Sequence, residues 1–253
     1  MSAIDLPNES VRFPALEPGQ HRAARIAGIS YLLSTIIVVF ANYGLLNPLI
    51  AAGDATRTAQ NILAHELQFR IGLTGFVLYS IVTVVLLVAL YVVLKPVNRT
   101  LALIGALFRL VFAMLWLLAG LNLLGTLRLL GSAKYLQVFE PERLHTLARF
   151  YLASTFDDYY VGLPFFGLAA TICAYLWLKS KYIPGWLAWF GVISSAWCVI
   201  CAFAYLLIPR FGKTVNPYWF DSPMALFEIV VSIWLLARGL TPPPQIAAMA
   251  HDE

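Results

Sequence analysis

Six long apolar stretches, separated by shorter polar connections, constrain the fold of this 253-residue chain more than any other feature. Each stretch reaches the roughly 20 residues that an α-helix needs to cross the hydrocarbon core of a bilayer. Apolar residues make up 60% of the chain and charged residues only 12%, which is too little polar surface to cover a soluble domain. Because lipid offers the backbone no hydrogen-bond partners, we expect these stretches to be helices.

We predict an all-α fold, a polytopic integral membrane protein in which six transmembrane helices form a bundle within residues 25–240. The tails, residues 1–24 and 241–253, contain prolines and mixed charges and are predicted to be flexible and cytoplasmic. The first stretch is longer than a signal-peptide core of roughly 7 to 15 residues, so we interpret it as a span. The predicted spans are 26–48, 71–94, 101–126, 158–178, 185–208 and 219–238.

The distribution of basic residues predicts which side each connection lies on. The short connections 95–99 and 179–181 contain lysine or arginine and no acid, whereas the longer loops carry both signs of charge. By the positive-inside rule the short connections and both termini are cytoplasmic, in a protein of the bacterial inner membrane.

Two of the longer loops are predicted to be helical extensions on the outer side. Asp54 is a suitable N-cap, and no proline interrupts the chain between it and the second span. Pro141 suits the first turn of a helix that leads into the fourth span. The second extension would thus mirror the first, whose apolar face is predicted to contain Ile62, Leu63 and Leu67.

Two spans each contain one charged residue far from either end. Arg109 lies ten positions after Arg99, and Glu228 lies ten positions before Arg238. At about 1.5 Å per residue both lie about 15 Å deep, halfway through a core about 30 Å thick. A charge at this depth costs several kcal/mol unless it has a partner, so we predict that the two side chains form an ion pair and that their helices are neighbours.

Further polar residues lie nearer the outer face and suggest a polar vestibule that ends at the Arg109–Glu228 pair. Such a vestibule predicts that the protein binds or moves a small polar or anionic molecule, with Arg109 holding the anionic group and Glu228 as counter-charge or proton acceptor. Equally, the pair can be purely structural and the other charges ordinary interfacial residues. The candidate site residues are Arg109, Glu228, Asn122, Asn42, Asp157, Asp158, Arg70 and Glu66.

Two alternative functions stay open. The chain can be an accessory or scaffold subunit of a membrane complex, in homo- or hetero-oligomeric form. It can also be an enzyme acting on a lipid or isoprenoid at the outer interface. Candidate acids, bases or ligands for that enzyme are Asp157, Asp158, His65, Glu66 and His145.

No motif decides between these functions. The sequence contains neither H-E-x-x-H nor G-x-S-x-G, so catalytic residues and cofactors stay undetermined and no metal site is predicted. The three cysteines lie in apolar stretches and are interpreted as core residues. A net charge of +4 scattered along the chain does not indicate nucleic acid as a partner. The bilayer itself is the expected partner.

The order and spacing of several segments resemble a bacterial family known as domain of unknown function 4386 (DUF4386), over about residues 24–240. The segments are ARIAGISYLL at 24–33, NILAHELQFRIG at 61–72, YVVLKPVNRTLALIGALFRL at 91–110, GLPFFGL at 162–168, YIPGWLAWFGVI at 182–193 and FEIVVSIWLLARGL at 227–240.

This resemblance implies a six-span architecture in which Arg70, Arg109 and Glu228 occupy polar positions of the family pattern. The family pattern has a histidine after FFGL, where this chain has Ala169, so no role of that histidine carries over. The resemblance implies no activity.

Overall fold

A computed structural model describes Leu16, residues 18–216 and residues 218–241, and all regular structure in this part of the chain is helical. The predicted tail segments 1–15 and 242–253 lie outside the described residues. The helices are α1 (Pro18–Val39), which continues into a π-helical segment (Phe40–Leu46) and a 3₁₀ turn (Asn47–Leu49), α2 (Ala55–Ala64), α3 (Glu66–Leu94), α4 (Arg99–Leu130), a 3₁₀ turn (Lys134–Leu136), α5 (Pro141–Ser180), α6 (Gly185–Leu207), α7 (Phe211–Thr214) and α8 (Tyr218–Ala237).

Six of these helices are long and apolar enough to cross a membrane, which confirms the predicted fold class of a multi-pass membrane protein. They are α1 with its continuation, α3, α4, α5, α6 and α8. The first helix begins at Pro18, within the predicted tail, because its first turns pack inside the bundle. Gln20, Ala23 and Ala24 are buried there, and the Gln20 side chain donates a hydrogen bond to the Val93 carbonyl at 3.2 Å.

The six spanning helices form a closed ring. Each of α1, α3, α4, α5 and α6 packs along the next one, and α8 packs against both α6 and α1 to close the ring. Helices α4 and α8 therefore lie on opposite sides of the lumen, and the prediction that they are packed neighbours is wrong. Depth along a helix fixes the level of a residue in the membrane, but it carries no information about the position of that helix around the ring.

The two helical extensions that were predicted for the outer side differ from each other in the structure. α5 runs without interruption from Pro141, as predicted for the fourth span. Asp54 caps α2 by accepting the Arg57 amide at 2.8 Å, also as predicted, but α2 ends before His65 and α3 starts anew, so the second span has no continuous extension. α2 packs instead on the outer part of α5.

The prediction that Ile62, Leu63 and Leu67 share one apolar face of the first extension is wrong. Ile62 is buried in the core, whereas Leu63 and Leu67 are exposed. The break at His65 changes the direction of the chain, so residues on its two sides no longer share one helical face.

The opposite end of the bundle is tightly closed. Asn98 caps α4 by accepting the Leu101 amide at 2.9 Å, and Lys181 ends α5 in the left-handed conformation with φ 58°. The Thr241 amide donates to the Tyr182 carbonyl at 2.9 Å, which fixes the end of the described chain to the α5–α6 turn. Buried aliphatic and aromatic residues fill the ring at this end, among them Trp177. The lumen is therefore sealed on the side of the short basic turns.

Candidate functional site

An ion pair crosses the middle of the ring. Nη2 of Arg109 donates to Oε1 of Glu228 at 2.9 Å, and the two residues are only 2% and 6% exposed. The guanidinium also lies over the rings of Tyr31 and Phe166, at 5.4 and 5.2 Å from their centroids. The predicted pairing at matching depth is confirmed, although one hydrogen bond joins the pair rather than two. Because α4 and α8 face each other across the ring, this contact closes the lumen at mid-height.

A cavity of about 460 Å³ occupies the lumen between this ion pair and the end of the bundle opposite the short basic turns. Glu228 and Phe166 lie at its deep end, and the exposed rings of Tyr43 and Tyr218, with centroids 6.2 Å apart, lie at its mouth. Its walls come from α1 and its continuation, α3, α4, α5 and α8. Further lining residues include Ser34, Thr35, Val38, Asn42, Asn47, Phe76, Tyr79, Phe112, Leu115, Trp116, Ala119, Thr155, Phe156, Tyr159, Tyr160, Asp221, Ser222 and Ala225.

Aromatic rings form a large part of the cavity wall. The rings of Tyr79 and Trp116 have centroids 4.4 Å apart, and Tyr159 meets the edge of Trp116 at 6.1 Å. Such offset and edge contacts between rings stabilise the packing of the wall. The cavity is thus an apolar chamber with a few polar groups at fixed positions.

Asp221 is the polar centre of the outer part of this chamber. It lies in the first turn of α8, where the helix dipole favours a negative charge, and its carboxylate accepts a hydrogen bond from the Tyr159 hydroxyl of α5. No lysine or arginine among the described residues forms an ion pair with it. Asp221 therefore presents a carboxyl group that lacks a cationic partner.

Two of the residues predicted to form the vestibule do line the cavity. Glu228 lies at the floor and Asn42 lies in the wall. Arg109 is not among the described residues that line it, whereas Glu228 and Phe166, which both contact its guanidinium, do line it. The guanidinium therefore supports the floor of the cavity from behind.

The remaining predicted residues lie outside the cavity lining. Asn122 on α4 donates to Asp158 on α5 at 2.7 Å, a contact that links the two helices, and Asp157 is exposed beside it. Arg70 and Glu66 form an exposed ion pair of 2.6 Å one turn apart on α3. These contacts are those of ordinary interfacial side chains.

The candidate metal ligands of the enzyme hypothesis do not converge. His65 contacts the carbonyl of Asn61 at 3.1 Å, and His145 contacts the hydroxyl of Thr56 at 3.4 Å, an α5–α2 contact. Over the described residues no group of three or more histidine, cysteine, aspartate or glutamate side chains is placed to hold a metal ion. The three cysteines are free and buried, consistent with packing.

The cavity-lining stripe of α8 was not predicted from the sequence. Tyr218, Asp221, Ser222, Ala225 and Glu228 recur at the spacing of one helical face, and all five line the cavity. Asp221 and Tyr218 lie at the very start of the span, where charged and aromatic residues of the membrane interface are common, so their position alone does not indicate a cavity. The seven-residue separation of Asp221 and Glu228 was the signal that could have joined them.

Comparison with known proteins supports the family resemblance and adds no activity. The family described as "Domain of unknown function (DUF4386)" matches residues 26–239. An uncharacterized protein of Archaeoglobus fulgidus is similar, with 27% identity over 167 residues, which cover 66% of this chain and 83% of that protein. No solved structure matches the chain.

Proposed function

We propose that this chain, which belongs to the DUF4386 family of multi-pass membrane proteins, binds a small molecule in the cavity of its helix ring and acts as a binder or carrier. The expected ligand has an apolar body and a polar group. The mouth of the cavity is assigned to the extracytoplasmic side, because the opposite end carries the short basic turns 95–99 and 179–181.

The observation that carries this proposal is the cavity itself. Its volume of about 460 Å³ lies within the roughly 300 to 1,000 Å³ of small-molecule sites. Like such sites, it combines a mostly apolar wall, rich in aromatic rings, with a small number of polar groups, among them Asp221, Asn42, Tyr159 and Glu228. A ring of helices that served only as a scaffold would gain by filling this space, since each unfilled volume forfeits packing energy.

The arrangement of the ion pair argues against an anion as the ligand. Arg109 already has Glu228 as its partner and lies behind the cavity floor. An anion would instead meet the carboxyl groups of Glu228 and Asp221. The expectation of an anionic ligand held by Arg109 is therefore not carried into this proposal.

A cavity-filling variant tests the proposal. Ala225 lines the cavity and is half-buried, so Ala225→Trp should occupy the chamber, while Ala64→Trp adds the same side chain at an exposed position of α2. Purified wild-type protein and both variants are screened by thermal shift in detergent against a panel of cationic, neutral and anionic metabolites.

The expected result is that at least one compound stabilises the wild type and Ala64→Trp and no longer stabilises Ala225→Trp. A panel that stabilises none of the three proteins, or stabilises all three alike, would count against ligand binding in this cavity. Elution and melting without ligand verify that each variant is folded.

A further inference from the structure

We propose that the ligand of this cavity is a small organic cation, an amine or quaternary ammonium compound, held by Asp221 and the surrounding aromatic rings. This assignment rests on the proposed function and goes further by naming the chemical class of the ligand. Three observations support it: the charge of the lining, its aromatic surface and the way the protein already holds a cation of its own.

The charge of the lining is negative. Two carboxyl groups, those of Asp221 and Glu228, line the cavity, and no lysine or arginine does so among the described residues. Arg109 compensates Glu228 from behind the floor, whereas Asp221 has only the neutral hydroxyl of Tyr159. A carboxylate that is withdrawn from water without a cationic partner costs free energy, and a bound cation offsets that cost.

The aromatic wall favours the same ligand class. Tyr79, Trp116 and Tyr159 surround the chamber, and Tyr43 and Tyr218 flank its mouth. The faces of aromatic rings attract cations, most strongly when the cation has lost its water, and such rings are the usual site for quaternary ammonium groups. An anion would be repelled by the same ring faces and by the carboxyl groups.

The protein already binds a cationic group by this chemistry. The guanidinium of Arg109 is held by one carboxylate, that of Glu228, and by the rings of Tyr31 and Phe166. Two helical turns toward the mouth, Asp221 and the rings of the chamber present a second carboxylate with an aromatic wall. The cavity thus repeats the combination of groups that holds the internal cation.

The test compares two probes of nearly equal shape, choline and its neutral isostere 3,3-dimethyl-1-butanol, with acetate as an anionic probe. Binding to the full-length protein in detergent is measured by calorimetry at constant ionic strength. Asp221→Asn removes the charge and keeps the size of the side chain. Asp158→Asn is the matched control, because this carboxylate lies outside the cavity lining and contacts Asn122.

We expect choline to bind the wild type and Asp158→Asn alike and to bind Asp221→Asn at least about tenfold more weakly, with the affinity for the neutral isostere unchanged in all three. If Asp221→Asn does not fold, Ser222→Lys supplies the same test, since Ser222 is exposed and lines the cavity. The introduced cation should weaken choline binding by a similar factor relative to Ser222→Gln.

Two results overturn the assignment: absence of choline binding to the wild type, or equal choline affinity in the wild type and Asp221→Asn. These results differ from failure of the proposed function. If the neutral isostere or acetate stabilises the wild type but not Ala225→Trp, the cavity is a binding site and only the cationic class is wrong.

Discussion

Removing one member of the Arg109–Glu228 pair should destabilise the protein far more than removing both. Arg109→Met leaves the Glu228 carboxyl group buried without its partner, and Glu228→Met leaves a guanidinium that cannot lose its charge. The double substitution places two apolar side chains across the lumen and leaves no charge behind. The two single variants, the double variant and the wild type form a double-mutant cycle.

The structure sets the expected magnitudes. The two residues are 2% and 6% exposed, so loss of one partner should cost about 3 to 5 kcal/mol, the usual cost of an uncompensated buried charge. Arg109→Met also removes the contacts with the two rings, each worth about 0.5 to 2 kcal/mol. Replacement of a whole buried pair by apolar groups is often neutral, so the double variant should lie within about 2 kcal/mol of the wild type.

The free energy of unfolding is measured in mixed micelles by titration with a denaturing detergent, with tryptophan fluorescence as the signal. The exposed pair of Arg70 and Glu66, whose side chains are 56% and 48% exposed, provides the control. Arg70→Met and Glu66→Met should each cost below about 1 kcal/mol. Buried single variants that cost no more than these controls, or a double variant that costs the sum of the two singles, would refute this expectation.

Three further predictions concern packing, capping and topology. Gly191→Ala would bring a new Cβ to 2.6 Å from an aromatic ring of α8 and should cost about 1 to 3 kcal/mol in the same unfolding assay, whereas Gly185→Ala, with nothing within 4 Å, should show no such loss. Asp54→Ala removes the cap of α2 and should cost that helix about 1 kcal/mol, seen as faster amide hydrogen exchange confined to α2; unchanged exchange would contradict the capping role. A cysteine at Ser132 should react with an impermeant maleimide added outside cells and one at Lys95 only after permeabilisation, against a background of three buried native cysteines, and the reverse pattern would invert the topology.

Much of the fold could be predicted because hydropathy and length report directly on membrane crossing. Every predicted span falls inside an observed helix or extends at most one residue beyond its end. The reason is that a run of apolar residues in lipid has no alternative to helical hydrogen bonding. That Arg109 and Glu228 lie at one level could likewise be predicted by counting residues, and the ion pair follows from the cost of leaving either charge alone.

The arrangement of helices around the ring could not be predicted in this way. Lipid-facing and bundle-facing sides of α1 or α3 are both apolar, so their sequences do not indicate which face turns inward. The contact of Tyr159 with Asp221 joins residues 62 positions apart on helices that are not adjacent in the ring, and only tertiary packing brings them together. The break at His65 was also missed, because neither proline nor glycine marks it.

The proposed function requires a lumen that is open from the extracytoplasmic side down to the Arg109–Glu228 pair and closed below it. Cysteines substituted one at a time along α8 test this directly, by reaction with a small, charged, impermeant thiol reagent added outside. Ser222→Cys and Ala225→Cys line the cavity and should react, whereas Ser232→Cys, buried one turn beyond Glu228, should not. Failure of the cysteine at residue 225 to react with the reagent, or reaction of the cysteine at residue 232, would contradict a lumen that is open down to the ion pair and closed below it.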